Sequence, residues 1–259
     1  MKPFPIALGA RLQSIPGINT IGFKPNFQDY TCQEQKMILA ADTIYFPTAF
    51  YAGLFHASGK KIFPSFHTYT FALDKIKQTT MFNLLGIPHP RTAFFFGKKQ
   101  KQTILHHFDF PFIAKIPRGS AKGSGVYLIQ TADDLAAVTA GTSPAYIQEY
   151  LPIDRDMRIV IIGSEIRLAY WRIAREDTFK TNLSQGGTIS FAPLPSAALE
   201  LALSTAVRCG WNDVGIDIIS HNHQYYVLEG NMKYGTKGFE KAGINYKQML
   251  ADLILSEAV

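Results

Sequence analysis

The chain has little cysteine. Cys32 and Cys209 are the only two among 259 residues, too far apart in sequence for the short spacing of a metal site. Two lone thiols suit a reducing compartment, so a cytoplasmic location is expected. Long apolar runs are missing too. The most apolar stretch, residues 44–55, is interrupted by Pro47 and is too short to cross a bilayer. Pro3, Pro5 and Arg11 fall where an export signal needs an unbroken apolar run, so neither membrane attachment nor secretion is expected. Acidic residues are the minority charge: 26 Lys and Arg against 20 Asp and Glu leave +6. The basic residues are scattered apart from Lys98, Lys99 and Lys101, and no helix-turn-helix, zinc-finger or base-stacking motif accompanies them. No nucleic-acid partner is expected. An anionic small substrate accounts for the excess equally well.

With 47% hydrophobic and 18% charged residues, the chain reads as globular, with core enough for two or three subdomains. Residues 1–72 alternate short strands, at 43–46 and 61–63, with a helix at 32–41, which reads as a small α/β domain without a chemical motif. Residues 71–86 read as a helix with Ile76, Phe82 and Leu85 at helical spacing, stopped by Gly86 and Pro88, and Lys75 in its first turn. Alone, that lysine is an ordinary surface charge.

A strand at 110–116 carries one lysine, Lys115, inside an apolar run, followed by Gly119-Ser120-Ala121-Lys122-Gly123-Ser124-Gly125 and a second strand from Val126. Small residues let backbone N–H groups approach an anion, and Lys115 or Lys122 can add charge. The loop lacks the Gly-Lys-Ser/Thr order of a P-loop and leads into a strand, not a helix. It reads as a phosphate-covering flap or as a plain hairpin. Strands at 156–162 and 165–174 meet at Gly163-Ser164 and carry Arg158 and Arg172; a polar loop spans 177–187, and helices span 196–210 and 245–257.

Between those last helices lies a hairpin of strands 214–219 and 225–228. Glu229 and Asn231 fall on one face by strand alternation. A three-residue turn over 222–224 sets Asp217 opposite Glu229, and a two-residue turn moves Asp217 to the other face. In the first case two carboxylates and an amide oxygen converge, a hard donor set suited to magnesium or manganese. His221 and His223 at the tip read as solvated imidazoles.

In this order, the pieces resemble the ATP-grasp superfamily, and most closely its RimK-type carboxylate–amine ligases, from about Asp74 to Phe239. The residues that carry the resemblance are Asp74-Lys75 with Gly86 to Thr92; Phe112 to Lys115 with Gly119-Ser120 and Gly123 to Val126; Gln148 to Leu151; Asp156-Met157-Arg158 and Arg172; Phe179 to Leu183 with Gly186-Gly187; and Gly215-Ile216-Asp217 with Glu229-Gly230-Asn231. The resemblance implies an α/β chain of the α+β ATP-grasp kind. A small N-terminal domain (1–72) would precede a central subdomain with the glycine flap (73–145) and a C-terminal subdomain with the metal site (146–259), the last two clasping a nucleotide.

It further implies ATP and magnesium, with manganese as an alternative, and the following roles. Lys75, Lys115 and the backbone of Gly123, Ser124 and Gly125 would hold phosphates. Gln148, Glu149 and Leu151 would line the adenine and Asp156 the ribose. Asp217, Glu229 and Asn231 would bind metal, and Arg158, Arg172 and Asn182 would be catalytic. A carboxylate would be activated as an acyl phosphate and joined to an amine, the substrates being amino acids or peptides. Arg158 has a rival reading as a structural ion-pair partner. The sequence departs from the family pattern at Lys180, where arginine is usual, and at Met232 to Gly235, where Ser-Pro-Gly is usual. Both departures bear on the second substrate. Rival functions are a carboxylate kinase or thiol-acceptor ligase of the same fold, a nucleotide-binding regulator without turnover, and a nucleic-acid binder. Whether residues 1–72 bind substrate or carry a homo-oligomer contact is left open.

Overall fold

The computed structural model describes residues 4–119, 125–174 and 187–259. Short apolar runs make strands β1 (Ile6–Ala7), β2 (Asn19–Thr20), β3 (Thr43–Tyr45) and β4 (Lys61–Phe63), a parallel sheet in the order β2-β1-β3-β4. Helix α1 (Cys32–Ala40) starts at a capping box in which Thr31 accepts from the Glu34 N–H and Glu34 accepts from the Thr31 N–H. Helices α2 (Thr48–Ala57) and α3 (Phe66–Phe71) follow β3 and β4. Ile6, Leu8, Ile38, Ile44, Tyr51 and Phe55 form this domain's own core.

The single helix expected over 71–86 is split. Leu73 takes a left-handed φ of 59°, and Asp74 then caps a new helix, α4 (Lys75–Leu85), which ends at Gly86. Strand β5 (Thr92–Phe95) and helix α5 (Gly97–Lys101) follow. Next come β6 (Phe112–Lys115), β7 (Val126–Ile129), α6 (Ala132–Ala140) and β8 (Ala145–Glu149). The four strands form an antiparallel sheet in the order β5-β8-β6-β7. Because β8 belongs to it, this sheet runs past the boundary expected at 145, to Glu149. Phe112, Ala114, Ala145 and Ile147 pack on one face. Alternation turns Lys115, Tyr146 and Gln148 to the other.

The third sheet has the order β11-β10-β9-β12-β13. Its strands are β9 (Arg155–Ile162), β10 (Glu165–Ile173), β11 (Thr188–Ser190), β12 (Asp213–His221) and β13 (Gln224–Asn231), with α7 (Ser196–Cys209) before β12, and α8 (Lys237–Lys241) and α9 (Tyr246–Leu255) at the end. Met157, Ile159, Ile161, Val214, Ile216 and Ile218 pack on one face against α7, Phe82 and Trp211. The opposite face is divided along its length. At one end Val160, Ile162, Leu168 and Tyr170 meet α9 and the N-terminal residues Ala7, Leu12, Phe46 and Phe63. At the other end that face carries Asp156, Arg158, Arg172 and Asp217, all buried. Among the described residues no helix is long and apolar enough to cross a membrane.

Candidate active site

The β12–β13 hairpin brings three oxygen-bearing side chains together by a route the sequence does not reveal. Its turn has two residues, Asn222 and His223, with φ of 49° and 62°, and His221 pairs with Gln224. That register alone would set Asp217 opposite Leu228. A β-bulge between Asp217 and Ile218 shifts the ladder by one residue, so Ile218 pairs with Val227 and Asp217 with Glu229. Asn231 Nδ2 donates to Asp217 Oδ2 at 3.1 Å and to Glu229 Oε1 at 3.2 Å.

Behind them lies a buried network of alternating charge. Arg158 donates from Nε to Asp217 Oδ1 and from Nη2 to Oδ2 at 3.0 Å. Arg172 grips Asp156 with two N–H groups, at 2.6 and 2.5 Å, and its Nη2 also lies 2.9 Å from Asp217 Oδ2. Burial alone would raise the Asp217 pKa, but Arg158 and Arg172 outweigh it and hold the carboxylate below its ordinary value. Burial would lower the Arg172 pKa, and Asp156 and Asp217 together push it up instead. Paired forks of this kind keep buried charges fixed and ionised. Gly215, between Asp213 and Asp217 on this face, leaves the room: a Cβ there would lie 3.0 Å from Arg158 Cδ and 3.1 Å from Tyr234 Cβ.

Two lysines reach the same place from other elements. Lys75, at the start of α4, lies 3.5 Å from Glu229 Oε2. Lys115 on β6 sits 5.7 Å from the ring centroid of Tyr146, its cross-strand neighbour. Burial pulls the Lys115 pKa down to about 8; Lys75 adds to the drop, and Glu229 and Asp217 oppose it. The base of the glycine loop is pinned over α4: the Lys75 N–H donates to Pro117 O at 2.9 Å and the Gly119 N–H to Leu73 O at 3.2 Å.

Several expected positions fall differently. Arg158 and Arg172 are 8% and 4% exposed and bound to carboxylates. Asp156, expected at a ribose, is 2% exposed and faces Arg172. Gln148 donates to Thr92 Oγ1, and the Glu149 N–H is taken by Arg91 O. Leu151 is half-buried in the loop between β8 and β9. Gly125 is described, with φ of 72°. Ser120, Lys122, Gly123, Ser124, Lys180 and Asn182 lie outside the described residues. Of the basic cluster, Lys101 donates to the Thr139 and Thr142 carbonyls at the end of α6, beside a groove of about 520 Å³ that Lys98 also lines.

The donor set fits magnesium bound with phosphates. Among the described residues no three His, Cys, Asp or Glu side chains cluster, and the donors are two carboxylates and an amide. Magnesium typically takes few carboxylates and completes its shell with phosphate and water. Glu229, 28% exposed at its side chain, offers the open oxygens. The Asn231 amide, turned over, would present Oδ1. Asp217 already accepts N–H groups from Arg158 and Asn231 and lies against Arg172.

Sequence reasoning missed Gln78. Buried in α4, it receives the Gly230 N–H on Oε1 at 2.8 Å and donates Nε2 to Gly230 O at 2.8 Å. It thereby locks the peptide between Glu229 and Asn231 to the helix bearing Lys75. The available signal was a polar residue on the buried side of that helix. Gly230 is closed to any side chain, since a Cβ would lie 2.6 Å from the Trp211 ring.

A family model described as the RimK-like ATP-grasp domain matches residues 72–254. A protein of Methanocaldococcus jannaschii named coenzyme gamma-F420-2:alpha-L-glutamate ligase is 28% identical over 193 residues, which cover 71% of this chain and 66% of that one. A probable alpha-L-glutamate ligase of Legionella pneumophila is also 28% identical over 193 residues, covering 71% and 64%. The matched part therefore spans slightly less than two thirds of the length of these curated relatives. The solved structure of a RimK domain ATP-grasp protein from Sphaerobacter thermophilus matches with a TM-score of 0.70 at 16% identity, covering 96% of this chain and 98% of that one. At that identity the likeness speaks for the fold.

Proposed function

Since the chain belongs to the RimK-like ATP-grasp family, we propose that it is an ATP-dependent carboxylate–amine ligase, forming an amide through an acyl phosphate. The observation that carries the reading is the meeting of Lys75 with Glu229, and of Glu229 with Asn231 and Asp217, on a face backed by two arginines. A carboxylate is a poor acyl donor because it would have to expel oxide, a far worse leaving group than phosphate. Attack of its oxygen on the γ-phosphate of ATP releases ADP and gives a mixed anhydride. The amine nitrogen then attacks the acyl carbon, the C–O bond breaks, phosphate leaves, and the amine gives up a proton.

In this reading Lys115 and Lys75 hold phosphate oxygens, and Tyr146 and Glu229 orient those lysines. Gln148, Glu149 and Leu151 line the adenine side. Asp156 and Arg172 fix Asp217, so ribose recognition passes to other groups. When bound, magnesium at Glu229 and Asn231 would offset charge on the phosphoryl group in transfer. The substrates are an amino acid or peptide, as the names of the relatives suggest.

The test is ADP release across a panel of acids with hydroxylamine present. A hydroxamate formed with one acid is the expected result and names the donor. Nucleotide binding without ADP release from any acid would instead favour a regulator of the same fold.

A further inference from the structure

The N-terminal parallel sheet has a site of its own. In the order β2-β1-β3-β4, the connection leaving β1 goes to one side and that leaving β3 to the other. In open parallel sheets the crevice outside the C-terminal ends of such strands is where ligands bind. Here β1 runs out to Arg11 and β3 to Phe46, Pro47 and Thr48.

Three features there go beyond packing. Phe46 and Thr48 hold left-handed φ values of 47° and 71°, costly for a bulky and a β-branched residue. Thr48 Oγ1 is buried without a hydrogen-bond partner. The Arg11 guanidinium is ringed by Phe46, Tyr234 and Tyr246, with centroids at 5.6, 5.5 and 5.5 Å. Yet it gives one N–H, at 3.3 Å, to Asp213, and no other acceptor takes its donors among the described residues. Its side chain is 27% exposed. Burial and the charge of Asp213 raise the Tyr69 pKa, while Arg11 and the Thr48 backbone oppose the rise, which sets Tyr69 near both strand ends.

The strand that carries Asp213 also leads to the candidate active site. Asp213, Gly215 and Asp217 share one face of β12, and four residues of strand span about 13 Å. Tyr234, which donates to Asp213 Oδ1, packs over Gly215 beside Arg158.

We propose that this crevice binds the free α-carboxylate of an amino-acid substrate, with Arg11 supplying the fork and the Thr48 hydroxyl a further hydrogen bond. The proposal rests on the ligase reading. A guanidinium held by aromatic rings with unused N–H groups matches a planar carboxylate. The charge of Asp213 beside it disfavours a dianion such as phosphate.

The experiment uses the full-length protein with magnesium and a non-hydrolysable ATP analogue, titrated calorimetrically with the free L-amino acids and their carboxamides. ADP release from ATP is followed in parallel. At least one amino acid should bind, its carboxamide roughly 10-fold or more weakly, as expected for loss of a charge-assisted contact. Arg11→Met should abolish that preference while nucleotide affinity stays unchanged. Should Arg11→Met fail to fold, Arg11→Lys, which keeps the charge and loses the fork, takes its place. Thr48→Val keeps the shape and deletes an orphaned hydroxyl. A structural Thr48 would leave affinity unchanged, whereas the proposal expects it to fall several-fold.

The proposal is overturned by absence of amino-acid binding, by equal binding of acid and carboxamide, or by variants that keep the wild-type preference. An amino acid bound through Arg11 without ADP release would keep the crevice and remove the ligase reading. ADP release with indifference to the carboxamide would do the reverse.

Discussion

Lys115 keeps its charge at a cost. Burial pulls its pKa to about 8, with Lys75 adding to the effect. Between that value and the ordinary lysine range the unfolded chain binds more protons than the folded one, so stability rises with pH across that window. At neutral pH the buried ammonium costs on the order of 3 kcal/mol. Lys115→Met is expected to melt at a higher temperature than wild type at pH 7 and to lose nucleotide affinity. Wild-type affinity should weaken as pH rises past about 8. Melting curves and nucleotide titrations between roughly pH 6.5 and 9.5 check both. Affinity unchanged in the variant would remove Lys115 from the phosphate site.

Glu229 is the opposite case: partly exposed and only loosely held by Lys75, it does little for the fold. Glu229→Ala should keep the melting temperature and abolish ADP release, and an active variant would contradict the metal assignment. At this scale the sequence shows which side chains are chemically apt, since alternation alone puts Glu229 beside Asn231. It does not show that Arg158, Arg172 and Asp156 neutralise one another around Asp217, because that depends on the order β10-β9-β12.

The β12–β13 hairpin shows how an element can reach an expected arrangement by another path. The sequence poses a choice between turn lengths, and the turn adopted is the one that by itself separates Asp217 from Glu229. The bulge reverses the outcome. Neither Leu228 nor its neighbours announce a bulge, since no glycine or proline marks it. The turn, at an exposed tip, is separable from the chemistry. His223 holds φ of 62° with a side chain that gains nothing evident there. His223→Gly creates an Asn-Gly pair, the favoured type I′ sequence. It should stabilise the protein by roughly 0.5–1 kcal/mol. That corresponds to a rise in melting temperature of roughly 2 °C. Turnover should be unchanged. A loss of metal-dependent activity would mean that the tip histidine has a chemical role after all.

At the scale of the whole molecule, the N-terminal domain meets the C-terminal part through an apolar core and hydrogen bonds such as Ser65 Oγ to Gly210 O, with a buried acid in the seam. Composition and strand spacing made the α/β character of the first residues legible. Their docking was not, because Leu12, Phe46 and Phe63 meet Val160 and Ile162 only once three sheets are assembled. Asp213 sits in that seam, 1% exposed. Burial raises its pKa to about 6, with Arg11 and Tyr234 offsetting only part of the rise. A carboxyl with a raised folded-state pKa contributes stability that is present below its unfolded value, near 4, and is lost as pH climbs through about 6. The loss is on the order of 1–3 kcal/mol. Asp213→Asn should therefore flatten the dependence of melting temperature on pH between roughly 4 and 6. At pH 7.5, about one and a half units above that upper bound, it should melt no lower than wild type, because the amide still accepts from Tyr234 and Arg11 is exposed enough to stay solvated. Denaturant melts at both ends of the range decide it. A variant much weaker than wild type at the higher pH would mean that the Arg11–Asp213 pair holds the domain in place more strongly than burial opposes it.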